Sequence, residues 1–139
     1  MKNFMDDQDF LLSTKTGEEL FHNFAEGMPI VDYHCHISPK EIWDDKRFEN
    51  ITEVWLGGDH YKWRLMRANG VDERFITGDA PAREKFQKWA ETLGRCVGNP
   101  VFEWSHLELK RFFGYEGVLN GNTAQEVWDL ANEKLAEAS

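Results

Sequence analysis

Over most of the chain, apolar residues recur three or four positions apart, the spacing that lines up one face of a helix. Ala82, Phe86, Trp89, Ala90 and Leu93 follow it most clearly. They predict a helix introduced by Thr77-Gly78-Asp79 and ended by Gly94. Asn99-Pro100 opens the next helix, with Phe102, His106, Leu109 and Phe113 on one stripe, Trp104 and Leu107 on an adjoining one, and Gly114 as terminator. Thr123-Ala124-Gln125-Glu126 reads as a capping box before Val127, Leu130, Ala131 and Leu135. Shorter helices are predicted upstream. Thr16 to Glu19 reads as a capping box ahead of Leu20, Phe21, Phe24 and Ala25, with Gly27 and Pro29 as the stop. Ser38-Pro39-Lys40-Glu41 starts a helix running to about Lys46. A piece over Ile51 to Leu56 halts at Gly57-Gly58, and Asp59 then caps a helix over His60 to Ala68 that ends at Asn69-Gly70. Before all of these, Met1 to Leu12 reads as an arm docking through Phe4, Phe10, Leu11 and Leu12.

The helical period breaks at Met28-Pro29-Ile30-Val31-Asp32-Tyr33-His34-Cys35-His36. Extended backbone alternates its side chains, which puts Asp32, His34 and His36 on one face and Val31, Tyr33, Cys35 and Ile37 on the other. That pattern predicts a short β-strand. Two imidazoles on one face can grip a single metal ion, since neutral imidazole nitrogen is a common ligand for zinc and its neighbours. Two ligands do not complete a site, so a half-buried strand whose histidines bond to backbone or water fits the pattern equally well. Arg95-Cys96-Val97 offers a second short extended piece. The fold class is therefore mainly α with one short β-strand. A lone strand needs neighbours for its backbone groups, which points to self-association or to a longer protein around it. His22 beside the first stripe reads as a surface or packing residue, and His106 as a core histidine with its hydrogen bonds satisfied.

Composition narrows the function. The 139 residues are 41% hydrophobic and 29% charged, as expected for a globular domain. With 25 acidic against 16 basic residues the net charge is -9, which argues against nucleic acid as the main partner. Cys35 and Cys96 follow no zinc or redox spacing, and nothing resembles a signal peptide or a membrane span, so a cytoplasmic location is expected. Cys35 falls on the face opposite the histidines, which suits packing better than ligation.

Three stretches, MPIVDYHCHISPKEI, NITEVWLGGDHYKWRLMRANGV and GNPVFEWSHLEL, together resemble the N-terminal region of the uronate isomerase (glucuronate isomerase) family of the amidohydrolase superfamily. The one-residue histidine spacing is widespread among metal hydrolases, but WLGGDHYKWR following it is far more particular. The resemblance implies a (β/α)8 barrel of the metal-dependent hydrolase type in the complete protein. Residues 1–38 would be its arm, first helix and first strand, 39–139 a helical cap or insertion, and the remaining barrel would lie beyond Ser139. Barrel sites sit at the carboxyl ends of strands, where His34 and His36 fall. His34 and His36 match the family's metal-binding pair, and His60 and Tyr61 its substrate-contacting pair. The implied cofactor is a divalent metal, zinc first.

The implied reaction converts D-glucuronate to D-fructuronate and D-galacturonate to D-tagaturonate in uronate catabolism. Tyr61 is the candidate for proton transfer and His60 for hydrogen bonding to substrate. A free tyrosine, with a pKa of about 10, is a poor base at neutral pH, so a nearby cation would have to tune it. Lys62, Arg64 and Arg67 are candidates by sequence proximity, against the plainer reading of a solvated basic face. Residues 1–139 alone are expected to be inactive, and a homo-oligomer is compatible with the unpaired strand. Two other readings stand beside this one. A hydrolase of the same superfamily would keep the histidine pair but activate water, with no particular use for His60-Tyr61. A non-catalytic helical module would recruit a protein partner through exposed aromatic residues.

Overall fold

The structure is a computed structural model describing residues 5–34 and 37–137. It divides into two units, Met1–Cys35 and His36–Ser139.

In the first unit, α1 (Lys15–Leu20) starts at Thr14, whose side chain accepts the Gly17 backbone N–H at 3.0 Å. The cap is thus Thr14 and not the expected Thr16. The hydroxyl must reach an amide two or three residues on, and Thr14 has the extended backbone that permits it. The helix widens into a π-turn over Phe21–Ala25. His22 lies on the surface and bridges two carboxylates, with Nε2 at 3.0 Å from Asp9 and Nδ1 at 3.1 Å from Glu26. Those hydrogen bonds, Asp9 first, raise its pKa. Met5 is buried and Leu11 exposed, while Phe4 falls outside the described residues.

The expected strand does not form: residues 29–34 have no regular secondary structure, and Ile30, Val31 and Tyr33 are exposed. Strand geometry is held by hydrogen bonds to a neighbouring strand, and no strand exists among the described residues. The pattern alone cannot supply that neighbour.

In the second unit, α2 (Pro39–Trp43) ends earlier than expected because Asp45 adopts φ 48°. The Asp45 and Lys46 amides then return to the Ile42 and Glu41 carbonyls at 3.2 and 3.0 Å, a Schellman closure with aspartate where glycine is usual. Both α3 (Ile51–Leu56) and α4 (His60–Ala68) have the bounds read from the sequence. Asn50 caps α3 through the Glu53 amide, and Gly70 at φ 75° closes α4. A 3-10 turn over Glu73–Phe75 precedes α5 (Ala82–Leu93), α6 (Pro100–Phe113) and α7 (Ala124–Glu137). Residues 95–98 form turns, not an extended piece, since the Cys96 N–H reaches back to the Leu93 carbonyl.

The central element is α5, which packs against α3, α4 and α7. Its Phe86, Trp89, Ala90 and Leu93 are fully buried, as their spacing predicts, alongside Ile51, Met66, Leu109 and Val127. Polar ties lock the helices in register. The Ile51 N–H donates to Asn132 Oδ1, Thr52 to the Ala82 carbonyl, and Trp55 Nε1 to Glu108 Oε2 at 2.7 Å. Thr123 serves the loop before α7, accepting the Asn120 N–H and donating to the Val118 carbonyl. His106 is a satisfied core histidine. Its Nδ1–H donates to the Phe102 carbonyl at 2.6 Å, and Nε2 accepts the Leu119 N–H at 2.9 Å. Burial pushes its pKa down and keeps it neutral. No helix of the described residues is long and apolar enough to cross a membrane.

Candidate functional site

The site is built on the first turn of α4. Asp59 precedes the helix with extended backbone, and its Oδ1 accepts the amides of Tyr61 at 2.9 Å and Lys62 at 3.2 Å. This cap satisfies donors that a helix start leaves unpaired and holds the next two residues in helical geometry. Helical rotation then divides the turn. Lys62, Trp63 and Met66 lie toward the core, while Tyr61 and Arg64 stay exposed and His60 is half-buried. The His60 and Tyr61 rings lie together, centroids 4.3 Å apart and planes inclined by 32°. An imidazole and a phenol side by side supply a hydrogen-bonding group and a proton carrier to one ligand.

The three candidate cations go different ways. The Arg64 guanidinium sits over the Tyr61 ring, 5.6 Å from its centroid. Arg67 turns away to Glu73, donating at 2.8 Å, and this bond with one from Thr77 holds the Glu73 carboxyl at about 2. Lys62 is not part of a solvated face: its side chain is 11% exposed, its Nζ donates to Asp59 Oδ2 at 2.6 Å, and it lies over the Trp55 and Trp89 rings. Sequence proximity could not show that burial. Its one signal was the three-residue step from the capping aspartate, which stacks both side chains on the same helix face.

His34 belongs to the first unit. It is exposed, and its backbone N–H donates to Asp32 Oδ1 at 3.2 Å. His36 and Cys35 lie outside the described residues. An accessible imidazole is a chemically suitable donor for a divalent ion. Among the described residues, no group of three or more His, Cys, Asp or Glu side chains could hold a metal.

The class these features define is an all-helical unit, among the described residues, that carries an imidazole–phenol pair on the first turn of α4. The profile of the glucuronate isomerase family matches residues 1–139. The chain belongs to that family. It is 69% identical over its whole length to the uronate isomerase of Lachnospira eligens and 65% identical to that of Endomicrobium trichonymphae, covering 30% of each. A crystal structure of uronate isomerase from Thermotoga maritima superposes with a TM-score of 0.84 at 41% identity, over 94% of this chain and 29% of that one. The chain thus spans about a third of the length of the relatives it matches.

Proposed function

We propose that the chain is the N-terminal part of a cytoplasmic enzyme that interconverts D-glucuronate and D-fructuronate, and D-galacturonate and D-tagaturonate. The observation that carries this reading is the end-to-end family match, and the resemblance of the sequence motifs assigns His34, His36, His60 and Tyr61 to the site. In the complete protein these residues would stand at the mouth of a (β/α)8 barrel of the amidohydrolase type.

The reaction moves a carbonyl by one carbon. A proton leaves the carbon beside the aldehyde, its bonding electrons form the carbon–carbon double bond, and the aldehyde oxygen gains a proton to give an enediol. The former aldehyde carbon then takes up a proton while the neighbouring hydroxyl loses one, so no net oxidation occurs. His60 holds a substrate oxygen by hydrogen bonding, and Tyr61 carries a proton between oxygen and carbon positions. Arg64 is the cation that lies over the Tyr61 ring. His34 and His36 would hold a divalent metal, zinc first, with ligands from outside this chain. When bound, that ion supplies polarisation and orientation of substrate oxygens.

The test is to incubate the full-length protein with D-glucuronate and follow D-fructuronate by NMR. Tyr61→Phe keeps the ring and removes the hydroxyl, and its turnover should fall by roughly 10²–10⁴-fold with a smaller change in KM. Absence of product with the unaltered protein would overturn the activity. Unchanged turnover in Tyr61→Phe would reduce Tyr61 to a packing residue.

A further inference from the structure

We propose that Asp59 and Lys62 form a clamp that positions His60 and Tyr61, with Lys62 acting through Asp59 and not on the reacting atoms. The proposal rests on the functional reading above. Both carboxylate oxygens of Asp59 are committed: Oδ1 to the Tyr61 and Lys62 amides, Oδ2 to Lys62 Nζ at 2.6 Å. The ammonium also lies near two indoles, 5.8 Å from the Trp55 ring centroid and 6.0 Å from that of Trp89. Neither indole is loose. Trp55 donates to Glu108 on α6, and Trp89 is fully buried on α5. The adjacent Trp63 donates its own indole N–H to the Leu56 carbonyl at the end of α3, at 2.8 Å. The first turn of α4 is thereby tied to α3, α5 and, through Trp55, α6.

Helical geometry converts those ties into orientation. Consecutive residues are turned by about 100° around the axis, so fixing positions 59 and 62 fixes the directions in which 60 and 61 project. A merely structural role explains the arrangement less well. Met66 and Trp63 already anchor α4 by burial, and a pair three residues apart on a helix contributes little when exposed. Here the lysine is withdrawn from water, a costly arrangement that the carboxylate and the two indole faces offset. What it gains is a narrow range of positions for the turn that carries the ring pair. Rates respond steeply to such placement, because a misplacement of about 1 Å can cost about 10²-fold.

The experiment measures kcat and KM for D-glucuronate in the full-length protein. Lys62→Met keeps the stem over the indoles and removes the charge, while Asp59→Asn keeps a capping side chain and removes the ion pair. Lys62→Met should lower kcat by about ten- to a hundredfold with KM within about threefold. The double variant should be no worse than Lys62→Met, because the two residues act through one bond. Lys62→Arg, which can still pair and stack, should recover much of the loss. Unchanged kcat in Lys62→Met, or losses that multiply in the double variant, would overturn the clamp. A readout without substrate separates this from failure of the isomerase reading. Amide exchange at Tyr61 and Lys62 should quicken about tenfold in Lys62→Met with exchange at Phe86 and Leu93 unchanged, and equal rates at all four would overturn the clamp even if the protein proved inactive on uronates.

Discussion

Leu20 and Phe24 in the first unit are 56% and 68% exposed, whereas Phe86 and Trp89 on α5 are fully buried. Both pairs belong to helical stripes of the same kind. The stripe states that a helix has an apolar side; it does not state what covers it. On α5 the cover comes from α3, α4 and α7. The helical segment of the first unit has its cap and its local hydrogen bonds but buries none of its own side chains. Local rules suffice to shape a short helix, and tertiary packing makes it resistant to unfolding.

The largest test of that contrast is a pair of truncations. Phe86→Ala should cost about 3–5 kcal/mol of unfolding free energy, the usual loss for a buried aromatic. Phe24→Ala should stay within about 0.5 kcal/mol, as exposed positions do. Urea titration of the 139-residue chain measures both, and comparable losses would erase the distinction. Caps give a smaller effect. Asn50→Ala should cost about 1 kcal/mol because α3 is part of the packed core. Thr14→Ala should instead reduce helical circular dichroism slightly and leave the urea midpoint in place.

The smallest and sharpest contrast lies between two histidines. The carboxylates of Asp9 and Glu26 raise the pKa of His22, so its stabilising contribution is complete below about 6.5 and fades as pH rises through the raised folded value. Burial lowers the pKa of His106, so its contribution is complete above about 6.5 and fades as pH falls toward the depressed folded value. Imidazole NMR titrations should therefore place the two midpoints on opposite sides of 6.5. Midpoints on the same side would contradict either the carboxylate hydrogen bonds of His22 or the burial of His106.

The same contrast explains what could be read without coordinates. The bounds of α4 were legible because Asp59 accepts amides two and three residues on and the Asn69 and Gly70 amides return to carbonyls of the last turn, and the end of α3 was legible at Gly57-Gly58. The fully buried stripe of α5 was legible because its spacing is long and regular. The strand expected over residues 30–37 does not form over 30–34, because alternation states which faces a strand would have and not that a second segment pairs with it. The end of α2 turned on Asp45 taking a left-handed conformation that its sequence permits but does not demand. Within the site, the ring pair could be named from WLGGDHYKWR, yet the withdrawal of Lys62 from water depended on tryptophans 7 and 27 residues away from it in the chain.

One buried atom also makes the protein its own optical reporter. Trp89 Nε1 has no hydrogen-bond partner among the described residues, and its ring has no solvent exposure. An indole withdrawn from water and without a hydrogen-bond partner relaxes less in its excited state, so Trp89, with the Lys62 ammonium 6.0 Å from its ring as a nearby charge, should emit toward the short-wavelength end of the tryptophan range. Trp43 and Trp104 are exposed and should emit at the long-wavelength end, where solvent relaxes around the excited ring. The two colours divide the signal by location. Loss of the blue component records entry of water beside α5, the helix on which the rest of its unit is assembled.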